Sequence, residues 1–404
     1  MKPVEHVLLR PGMYVGSVSP AEDVLWCYDA KVGRMVQKTA TVVPALFKII
    51  DEVLVNAADN HHRSSETQKI DVAVDVQQGR ITIRNDGPGI PVDFAKGESD
   101  LRTPELVFGH LLTGSNFDDS KKRYTGGRHG YGAKLANIFS TEFKLETHDF
   151  KEAVRYTQTW RKNMSEVERP VLEPLATKGS GRRGAHVVED VPYTTTISFV
   201  PELSRFGMEE LDSEVVSAIR KRTYDLAGSL GGRVKLSWQG EPLDDCKGFR
   251  EWAGLFEPKV STSKKAKDAK GDGKSGASAE GVGAVEADVV PQDAYPGLVT
   301  TSDDTRKPSG RWSVGVSCSP SGSFSQVTLV NSIATTRGGS HVNHVSVQVC
   351  ERLAEMIQQK NRDFAVRGAD VKHHLRLYIA CLIDNPEFDS QVSASVRVQS
   401  PVCA

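Results

Sequence analysis

Apolar and polar residues alternate along the chain in patterns that predict both helices and strands. Residues 41–60 place apolar side chains three or four positions apart, which predicts an amphipathic helix with Ile50 on its buried stripe. Ile70–Val76 and Arg80–Asn85 alternate with a period of two and are joined by a glycine turn, which predicts a β-hairpin. Further helices are predicted over Leu135–Phe139, Leu211–Leu226, His344–Gln359 and Val371–Ile383, and further strands over Trp312–Ser317 and Phe324–Val330. The chain is therefore predicted to be an α+β protein.

One stretch, residues 258–296, interrupts this pattern. It is rich in Lys, Gly, Ala, Ser and Asp and nearly free of large apolar residues. Such a segment cannot bury enough surface to offset the entropy lost on ordering, so we predict a disordered insertion. Its early lysines form either a solvated charged loop or a local contact for DNA, and composition favours the solvated loop.

Composition and charge limit the possible partners. The 51 Lys and Arg residues against 52 Asp and Glu give a formal charge of -1, so any contact with DNA is expected to be local. The 6 cysteines are scattered without a CxxC pair, which argues against a structural zinc site and for a reducing compartment. No apolar run reaches the roughly 18 residues that span a bilayer, and the first residues lack the apolar core of a secretory signal. We therefore expect a soluble intracellular protein without membrane attachment.

Three segments carry residues suited to chemistry, and the first is the helical segment Asp51–Asn60. Glu52, Asn56 and Asn60 lie one helical turn apart on a single face. A carboxylate there can orient and deprotonate an attacking water. A carboxamide oxygen one turn later can bind Mg²⁺, which takes oxygen ligands. The alternative is a solvated polar face of an ordinary amphipathic helix.

The second segment is the turn Arg84–Pro91, which follows a predicted strand. A proline with one glycine on each side makes a sharp turn and lets a flat ligand approach the backbone. Asp86 at the end of the strand can accept a hydrogen bond from an exocyclic amine such as that of adenine. An ordinary turn at the end of a strand is the alternative.

The third segment is a glycine-rich loop, Gly126–Leu135, which runs directly into a predicted helix. Its backbone N–H groups can bind phosphate oxygens, and the helix dipole favours an anion there. Lys134 adds a positive charge in the first helical turn. The spacing is neither that of a P-loop nor that of a dinucleotide-binding fingerprint. Lids and linkers also need glycine, so the loop is informative mainly because it follows the other two segments.

A helix with Glu and Asn, a DxGxG turn and a glycine-rich lid, in this order, resemble the Bergerat ATP-binding fold. Gyrase-type topoisomerases, heat-shock chaperones, MutL proteins and histidine kinases share that fold. Six segments narrow the resemblance to eukaryotic type II topoisomerases, and they extend from about residue 2 to residue 391 apart from the insertion. They are His6–Val18, Asp51–Asn60, Leu111–Asp119, Thr125–Thr141, Val330–Val345 and Asn385–Gln391.

The resemblance implies a role for each matched residue. Glu52 corresponds to the general base, Asn56 to the Mg²⁺ ligand and phosphate contact, and Asn60 to a nearby helper. Tyr14 resembles the residue of an N-terminal arm that reaches the nucleotide of a partner subunit. The other implied ATP contacts are Asp86 at the adenine, Gly89, Ile90, Ser115 and Asn116, and the lid residues Gly127, Arg128, His129, Gly130, Tyr131, Gly132, Ala133 and Lys134. His129 stands where the family usually has Asn.

The resemblance also implies two domains. Residues 1–254 correspond to the ATP-binding domain with its N-terminal arm, and residues 255–404 to a transducer domain, a βαβ unit related to ribosomal S5 folds. Gln391 matches the start of a Gln-Thr-Lys loop whose lysine contacts the γ-phosphate in the family. Val392 and Ser393 take the next two positions, and we interpret the divergent tail as an altered or truncated terminus. Arg397 is a candidate replacement for the lysine.

A cluster of basic residues lies where the transducer of the family faces captured DNA. Its members are Lys360, Arg362, Arg367, Lys372 and Arg376. Such residues would bind duplex DNA without sequence preference and with strong salt dependence. A solvated helix face is an equal alternative.

The function implied by the resemblance is the ATP-hydrolysing N-terminal gate of a type II DNA topoisomerase. It would use Mg²⁺, form a homodimer on binding ATP and capture double-stranded DNA in the nucleus or an organelle. The DNA-cleaving parts are expected beyond this chain. Two alternatives remain: an ATP-gated dimer clamp that does not hydrolyse because its Gln-Thr-Lys loop is altered, and another ATPase of this fold, such as a chaperone or mismatch-repair protein. The segments Leu9–Ser17 and Val330–Val342 disfavour the second alternative.

Overall fold

A computed structural model describes residues 3–95, 100–111, 131–175, 177–178, 187–188, 191–258, 297–303, 311–363, 365–388 and 396–397. The helices are α1 (Pro3–Leu9), α2 (Pro44–Arg63), α3 (Thr103–Gly109), α4 (Gly132–Ile138), α5 (Ser213–Leu230), α6 (Phe249–Gly254), α7 (Ser340–Lys360) and α8 (Gly368–Lys372). Within these ranges, no helix combines the length and apolar character needed to cross a bilayer. Residues 259–296 of the predicted insertion lie outside the described ranges.

The strands fall into two main sheets and three small pairs. They are β1 (Ala21–Asp29), β2 (Arg34–Val42), β3 (Lys69–Asp75), β4 (Arg80–Asn85), β5 (Ser140–Asp149), β6 (Val154–Arg161), β7 (Glu166–Val167), β8 (Val171–Pro174), β9 (Thr177–Lys178), β10 (Val187–Val188), β11 (Thr195–Pro201), β12 (Lys235–Trp238), β13 (Glu241–Pro242), β14 (Val299–Ser302), β15 (Trp312–Cys318), β16 (Ser325–Val330), β17 (Ile333–Ala334), β18 (Leu375–Cys381), β19 (Glu387–Phe388) and β20 (Val396–Arg397). The small pairs are β1–β2, β9–β10 and β19–β20.

The larger sheet has the strand order β13-β12-β3-β4-β11-β5-β6-β7, with β8 also paired to β6. Its neighbouring strands are antiparallel except β12 and β3, which are parallel. Burial alternates along β4, so that Ile81 and Ile83 belong to the same core cluster as Ile49 and Val53 of α2. The hairpin predicted from the sequence is confirmed as β3 and β4.

Helix α2 begins at Pro44 rather than at Thr41, the start that periodicity predicts. Thr41 and Val42 end strand β2, and a proline in the first turn has the backbone angle that starts a helix. Arg63 in the last turn complements the negative end of the helix dipole, whereas burial lowers the pKa of His61 and that of His62, so both imidazoles are neutral near pH 7. The buried stripe predicted for this segment is present, with Ile50 and Val53 almost fully buried.

The smaller sheet has the order β14-β15-β18-β16-β17, in which β16 and β18 are parallel. Helix α7 lies between β16 and β18 in the sequence, so these three elements form a βαβ unit. The predicted strands at 312–317 and 324–330 are confirmed as β15 and β16, and the predicted helix at 344–359 as part of α7.

The helix predicted over Val371–Ile383 is wrong. Helix α8 ends at Lys372 and strand β18 follows, with all of Leu375–Cys381 buried. Alternate residues of β18 enter different cores: Tyr378 joins the cluster of the larger sheet, whereas Ile379 packs with α7. A strand buried on both faces has a continuous apolar sequence, and its periodicity cannot distinguish it from a buried helix.

The turn between β16 and β17 holds two residues in the left-handed region. Asn331 has φ 49° and Ser332 has φ 64°. The Asn331 side chain donates to the carbonyl of Ile383 at 3.0 Å and accepts from the Ile383 amide at 2.8 Å. Because Asn331 is fully buried, these two bonds fix the turn against the end of β18.

We predict that Asn331→Ala lowers the free energy of unfolding by about 2–4 kcal/mol. The change removes two buried hydrogen bonds and places a Cβ-bearing residue without a local hydrogen bond in the left-handed region. Asn385→Ala is the matched control, because Asn385 also has a positive φ of 47°, whereas its side chain makes no hydrogen bond to any residue that the structure describes. It should cost about 1 kcal/mol. Urea unfolding of both variants gives the comparison, and equal losses would contradict the role of the Asn331 side chain.

Candidate functional site

The polar residues of α2 form a half-buried stripe along the helix. Lys48, Glu52, Asn56 and Asn60 are each partly buried and lie four positions apart. The Lys48 ammonium lies 2.5 Å from Glu52 Oε1, and the two side chains are 17% and 19% exposed. A stripe of this kind lines a cleft, whereas a solvated helix face would be largely exposed. The sequence pattern did not single out Lys48, although its spacing from Glu52 is that of a helical ion pair.

The two asparagines of this stripe differ in their contacts. Asn60 Nδ2 donates to Thr67 Oγ1 at 3.0 Å and to the Pro88 carbonyl at 3.3 Å, so it joins α2 to the turn after β4. Within the described ranges, no hydrogen bond reaches the Asn56 carboxamide. Asn60 therefore supports the site, and the oxygen of Asn56 is available to a ligand.

The turn after β4 packs so closely on its neighbours that its glycines cannot be replaced. A Cβ on Gly89 would lie 1.8 Å from the backbone oxygen of His148. The next residue, Ile90, donates its amide to Thr147 Oγ1 at 2.8 Å. The backbone of the turn therefore rests directly on β5 and its neighbours, and it forms one wall of the cleft beside α2.

At the end of β4, the structure separates two neighbouring polar residues. Asp86 Oδ1 accepts the amides of Gln68 and Lys69, both at 2.7 Å, so this carboxylate closes the loop between α2 and β3. Asn85 is 6% exposed and lies on the face of the strand that Ile83 occupies. The contacts thus give Asp86 a structural task that the sequence did not predict. The predicted adenine contact of Asp86 stays a prediction, and the period-two alternation of β4 places its neighbour Asn85 on the α2 side.

Asn85 retains an unused acceptor. Its Nδ2 donates to the carbonyl of Asp86 at 2.8 Å. In the described part of the chain, no hydrogen bond reaches its Oδ1. Because this oxygen is not fully enclosed, it can accept a hydrogen bond from water or from a ligand.

The amino end of α4 lies against the Glu52 carboxylate. A Cβ on Gly132 would fall 1.9 Å from Glu52 Oε2, so only a glycine allows this approach. Ala133 and Lys134 follow and are buried. Burial lowers the pKa of the Lys134 ammonium to about 8. Lys134 thus lies two residues beyond Gly132, in the helix whose amino end meets Glu52, and the half-buried Tyr131 immediately precedes that helix.

Several predicted contacts lie outside the described residues and stay predictions. They are Ser115, Asn116, Gly127, Arg128, His129, Gly130 and Gln391. Tyr14, the predicted arm residue, shares a hydrogen bond of 2.9 Å with His6 Nδ1 in the same chain. Its ring meets the His6 ring edge-on at 5.9 Å.

The predicted basic cluster is divided by the structure. Lys360 and Arg362 are exposed at the end of α7. The Lys372 ammonium lies 4.8 Å from the centre of the Phe324 ring. Arg367 is exposed and pairs with Asp370. The prediction that Arg376 contributes to this cluster is wrong. Arg376 is buried and donates to the Phe256 carbonyl and to Ser325 Oγ, so it cannot contact an external polyanion.

The donor groups of the cleft fit a magnesium ion that arrives with a phosphate ligand. Within the described ranges, no three His, Cys, Asp or Glu side chains cluster as a metal site. Asn56 offers one neutral oxygen. Mg²⁺ is commonly held by one or two protein oxygens, substrate phosphates and water, and this set meets that requirement.

Two families match this chain. Residues 41–164 match the family described as histidine kinase-, DNA gyrase B-, and HSP90-like ATPase. Residues 286–398 match the family described as DNA gyrase B. Together with the cleft beside α2, these matches define a chain with an ATPase domain of the first family followed by a gyrase-B-like domain. The predicted α+β fold class is confirmed.

Solved structures and curated relatives narrow the family. The crystal structure of the ATPase region of Saccharomyces cerevisiae topoisomerase II is 35% identical with a TM-score of 0.78, covering 98% of this chain and 88% of that one. The ATPase and transducer domains of DNA topoisomerase II from Balamuthia mandrillaris are 36% identical with a TM-score of 0.79, covering 99% and 88%. DNA topoisomerase 2 of Candida glabrata is 39% identical over 98% of this chain and 25% of its own length.

The chain belongs to the DNA topoisomerase II family and corresponds to its ATPase region. It spans about a quarter of the length of the curated relatives that it matches. The resemblance inferred from the six segments is thereby confirmed.

We predict that two alanine substitutions on the same face of α2 affect different properties, one the stability and the other the binding of nucleotide. Asn60→Ala should lower the free energy of unfolding by about 1–3 kcal/mol, because Thr67 and Pro88 lose their partner. Asn56→Ala should change it by no more than about 0.5 kcal/mol but weaken the binding of a magnesium–nucleotide complex about tenfold. Thermal unfolding and calorimetric titration with a non-hydrolysable ATP analogue measure the two effects. The same stability loss in both variants would contradict the division of roles.

Proposed function

We propose that this chain binds and hydrolyses ATP and forms the nucleotide-operated gate of a type II DNA topoisomerase. Residues 1–254 would form the nucleotide-binding domain and residues 255–404 the domain that transmits closure. The observation that carries the proposal is the meeting of Glu52 with the amino end of α4, where Gly132 leaves room for no side chain. Lys134, a buried cation, lies in the first turn of the same helix.

In this proposal, Glu52 orients the attacking water and accepts its proton. Lys48 holds the carboxylate from one side, and Gly132 limits its movement on the other. Lys134 offsets the negative charge of the phosphates. Positioning and charge neutralisation supply most of the acceleration in phosphoryl transfer, so a fixed carboxylate matters more than a strongly basic one.

The metal ion would lie at Asn56, inside the α2 stripe, and the adenine beyond the Asn60 end of the stripe, at the turn after β4. We place the exocyclic amine of adenine against Asp86 Oδ2, with Asn85 beside it, because within the described ranges the amides of Gln68 and Lys69 occupy only Oδ1 of this carboxylate. Gly89 and Ile90 would line the same wall. Asn56 would hold Mg²⁺, and the ion would neutralise part of the phosphate charge.

Duplex DNA and a second copy of the chain are the proposed macromolecular partners. Lys360, Arg362 and Lys372 supply the local positive charge for DNA, and Tyr14 would reach the nucleotide of the partner subunit. The nearly neutral chain is suited to such a local contact, in which the affinity arises from counterion release at a few phosphates. We place this activity in the nucleus or in another compartment that holds DNA.

A clamp that binds ATP without hydrolysis is the second candidate. The observation that favours it is in the sequence, where Val392 and Ser393 follow Gln391 in place of the family's threonine and lysine. Without that lysine, closure would persist until the nucleotide dissociates. Replacement of that lysine by Arg397 would retain hydrolysis. Without this replacement, the chain would act as the clamp.

We predict steady-state ATP hydrolysis that linear duplex DNA stimulates and that Glu52→Ala lowers at least about a hundredfold, the typical contribution of a general base. Glu66→Ala is the control, because Glu66 is an exposed carboxylate just beyond α2 and should leave the rate unchanged. Coupled-enzyme assays at two salt concentrations give both rates.

DNA stimulation should fall as salt rises, since it depends on released counterions. Tight binding of the ATP analogue together with turnover no higher than that of Glu52→Ala would replace the hydrolytic gate by the clamp. Turnover unaffected by Glu52→Ala would remove Glu52 from the mechanism.

We predict that nucleotide affinity falls about tenfold as the pH rises through about 8, where the buried Lys134 ammonium loses its proton. Lys134→Arg should keep the affinity at pH 9, and Lys134→Met should be weak at every pH. Fluorescence titration with an ATP analogue measures the profile. Equal pH profiles for the wild type and Lys134→Met would contradict the role of the ammonium.

The unliganded protein should show the opposite sign. The pKa of Lys134 is depressed from 10.5 to about 8 in the folded state, so the folded protein binds fewer protons than the unfolded one between these values. Its stability against urea should therefore rise across that window, and Lys134→Met should abolish this contribution.

A further inference from the structure

One guanidinium group contacts both halves of the molecule. Arg222 of α5 donates from Nε to Asp51 Oδ1 at 2.8 Å and from Nη2 to the same oxygen at 2.5 Å. The same Nη2 donates to the carbonyl of Ser332 at 2.9 Å. Asp51 belongs to α2 of the larger sheet's layer, whereas Ser332 lies in the β16–β17 turn of the smaller sheet.

Each end of this connection is fixed by its own contacts. Asp51 immediately precedes Glu52 in α2, so any movement of Asp51 also moves the backbone that carries the proposed general base. Ser332 follows Asn331, whose side chain is bonded to Ile383 at the end of β18. Ser229 of α5 adds a hydrogen bond to Ser332 Oγ at 3.0 Å. The Ser332 carbonyl is therefore the atom of the smaller sheet's turn to which the Arg222 guanidinium is bonded.

The guanidinium is also held from behind. Its Nη1 donates to Asp225 Oδ2 at 3.0 Å, and Asp225 is fully buried. Lys221 pairs with Asp225 at 2.7 Å, and the Trp252 indole donates to its other oxygen at 3.0 Å. Two carboxylates thus face two cations in one buried cluster. Removal of Arg222 would leave Asp225 with Lys221 as its partner, but Asp51 would lose its guanidinium.

We propose that Arg222 is a positioning residue for Glu52. The Arg222 guanidinium sets the position of the Asp51–Glu52 segment of α2 in response to the position of the Ser332 turn. The role rests on the proposed function, because it assumes that Glu52 activates water. A shift of the smaller sheet against α5 withdraws the Ser332 carbonyl from the guanidinium. The freed N–H then turns, and the two bonds to Asp51 change with it. A planar guanidinium can hold three acceptors at fixed angles, whereas a lysine ammonium in its place cannot reproduce that fork.

The test compares Arg222→Lys and Arg222→Gln with Lys221→Gln. Lys221 lies on the same helix and pairs with the same Asp225, but it does not contact Asp51 or Ser332 in the structure. Hydrogen–deuterium exchange of the peptides that contain Asp51–Asn56 and Asn331–Ser332 reports the connection without ATP. Steady-state kinetics reports the effect on Glu52. Asp51→Asn is a milder variant that keeps an acceptor and removes its charge.

Both Arg222 variants should increase exchange in both peptides and lower kcat about tenfold to a hundredfold, with KM for ATP changed less than twofold. Lys221→Gln should do neither, and Asp51→Asn should give a smaller loss of kcat in the same direction. Faster exchange in only one peptide, equal effects of Lys221→Gln, or an unchanged kcat would overturn the proposal. If the wild type does not hydrolyse ATP, the proposed function fails, and the exchange measurement still decides whether Arg222 connects the two segments.

Discussion

Helix α2 must bury one face in the core while it keeps a polar stripe in a cleft, and the surrounding structure meets that requirement. Its apolar face packs with Ile81 and Ile83 of β4. Its polar stripe is half-buried, so each group there needs a partner or a ligand. Lys48 satisfies Glu52, and the β4 turn satisfies Asn60. Among the described residues, Asn56 is the member of this row whose side chain receives no hydrogen bond, and this is why we propose it as the Mg²⁺ contact.

The sequence predicted most of the architecture because the spacing of apolar residues shows which face of a helix or strand is buried. Burial of one face holds the elements of the larger sheet in place. The β3–β4 hairpin and α2 each have one face toward a core, and each was found, whereas the βαβ unit was implied only by the family resemblance. Strand β18 was missed for the opposite reason: Tyr378 and Ile379 point into different cores, so no period was visible. The β1–β2 pair is a local hairpin, but the first four residues of β1 are exposed, so the strand shows little apolar alternation.

For the candidate site, composition and spacing identified Glu52, Asn56 and Lys134, because a stripe on one helix and a glycine-rich entry into another are local features. The choice between Asp86 and its neighbour Asn85 was beyond such reasoning. Their roles depend on which side of β4 each side chain takes and on the two amides of the α2–β3 loop that Asp86 accepts.

Two kinds of contact join the sheets, and they respond differently to displacement. The first is apolar and aromatic: Trp252 of α6 meets Tyr378 of β18 edge-on at 6.2 Å. Contacts of this kind depend on area and lose little when surfaces slide by a fraction of an ångström. The second kind is directional, as in the bond from Arg222 to the Ser332 carbonyl. Hydrogen bonds weaken steeply once the donor angle falls, so a small rotation breaks this bond before the aromatic core opens.

This difference has a mechanical consequence for the molecule. The aromatic core keeps the two sheets together throughout a rotation, and the guanidinium detects the rotation while it is still small. Because Asp51 and Glu52 are consecutive residues of one helix, the same event that releases Ser332 also reaches the carboxylate beside Gly132. Helix α2 carries the charged contact of Asp51 and the proposed base Glu52 at consecutive positions. The helix therefore couples the smaller sheet to the cleft without a flexible segment between them.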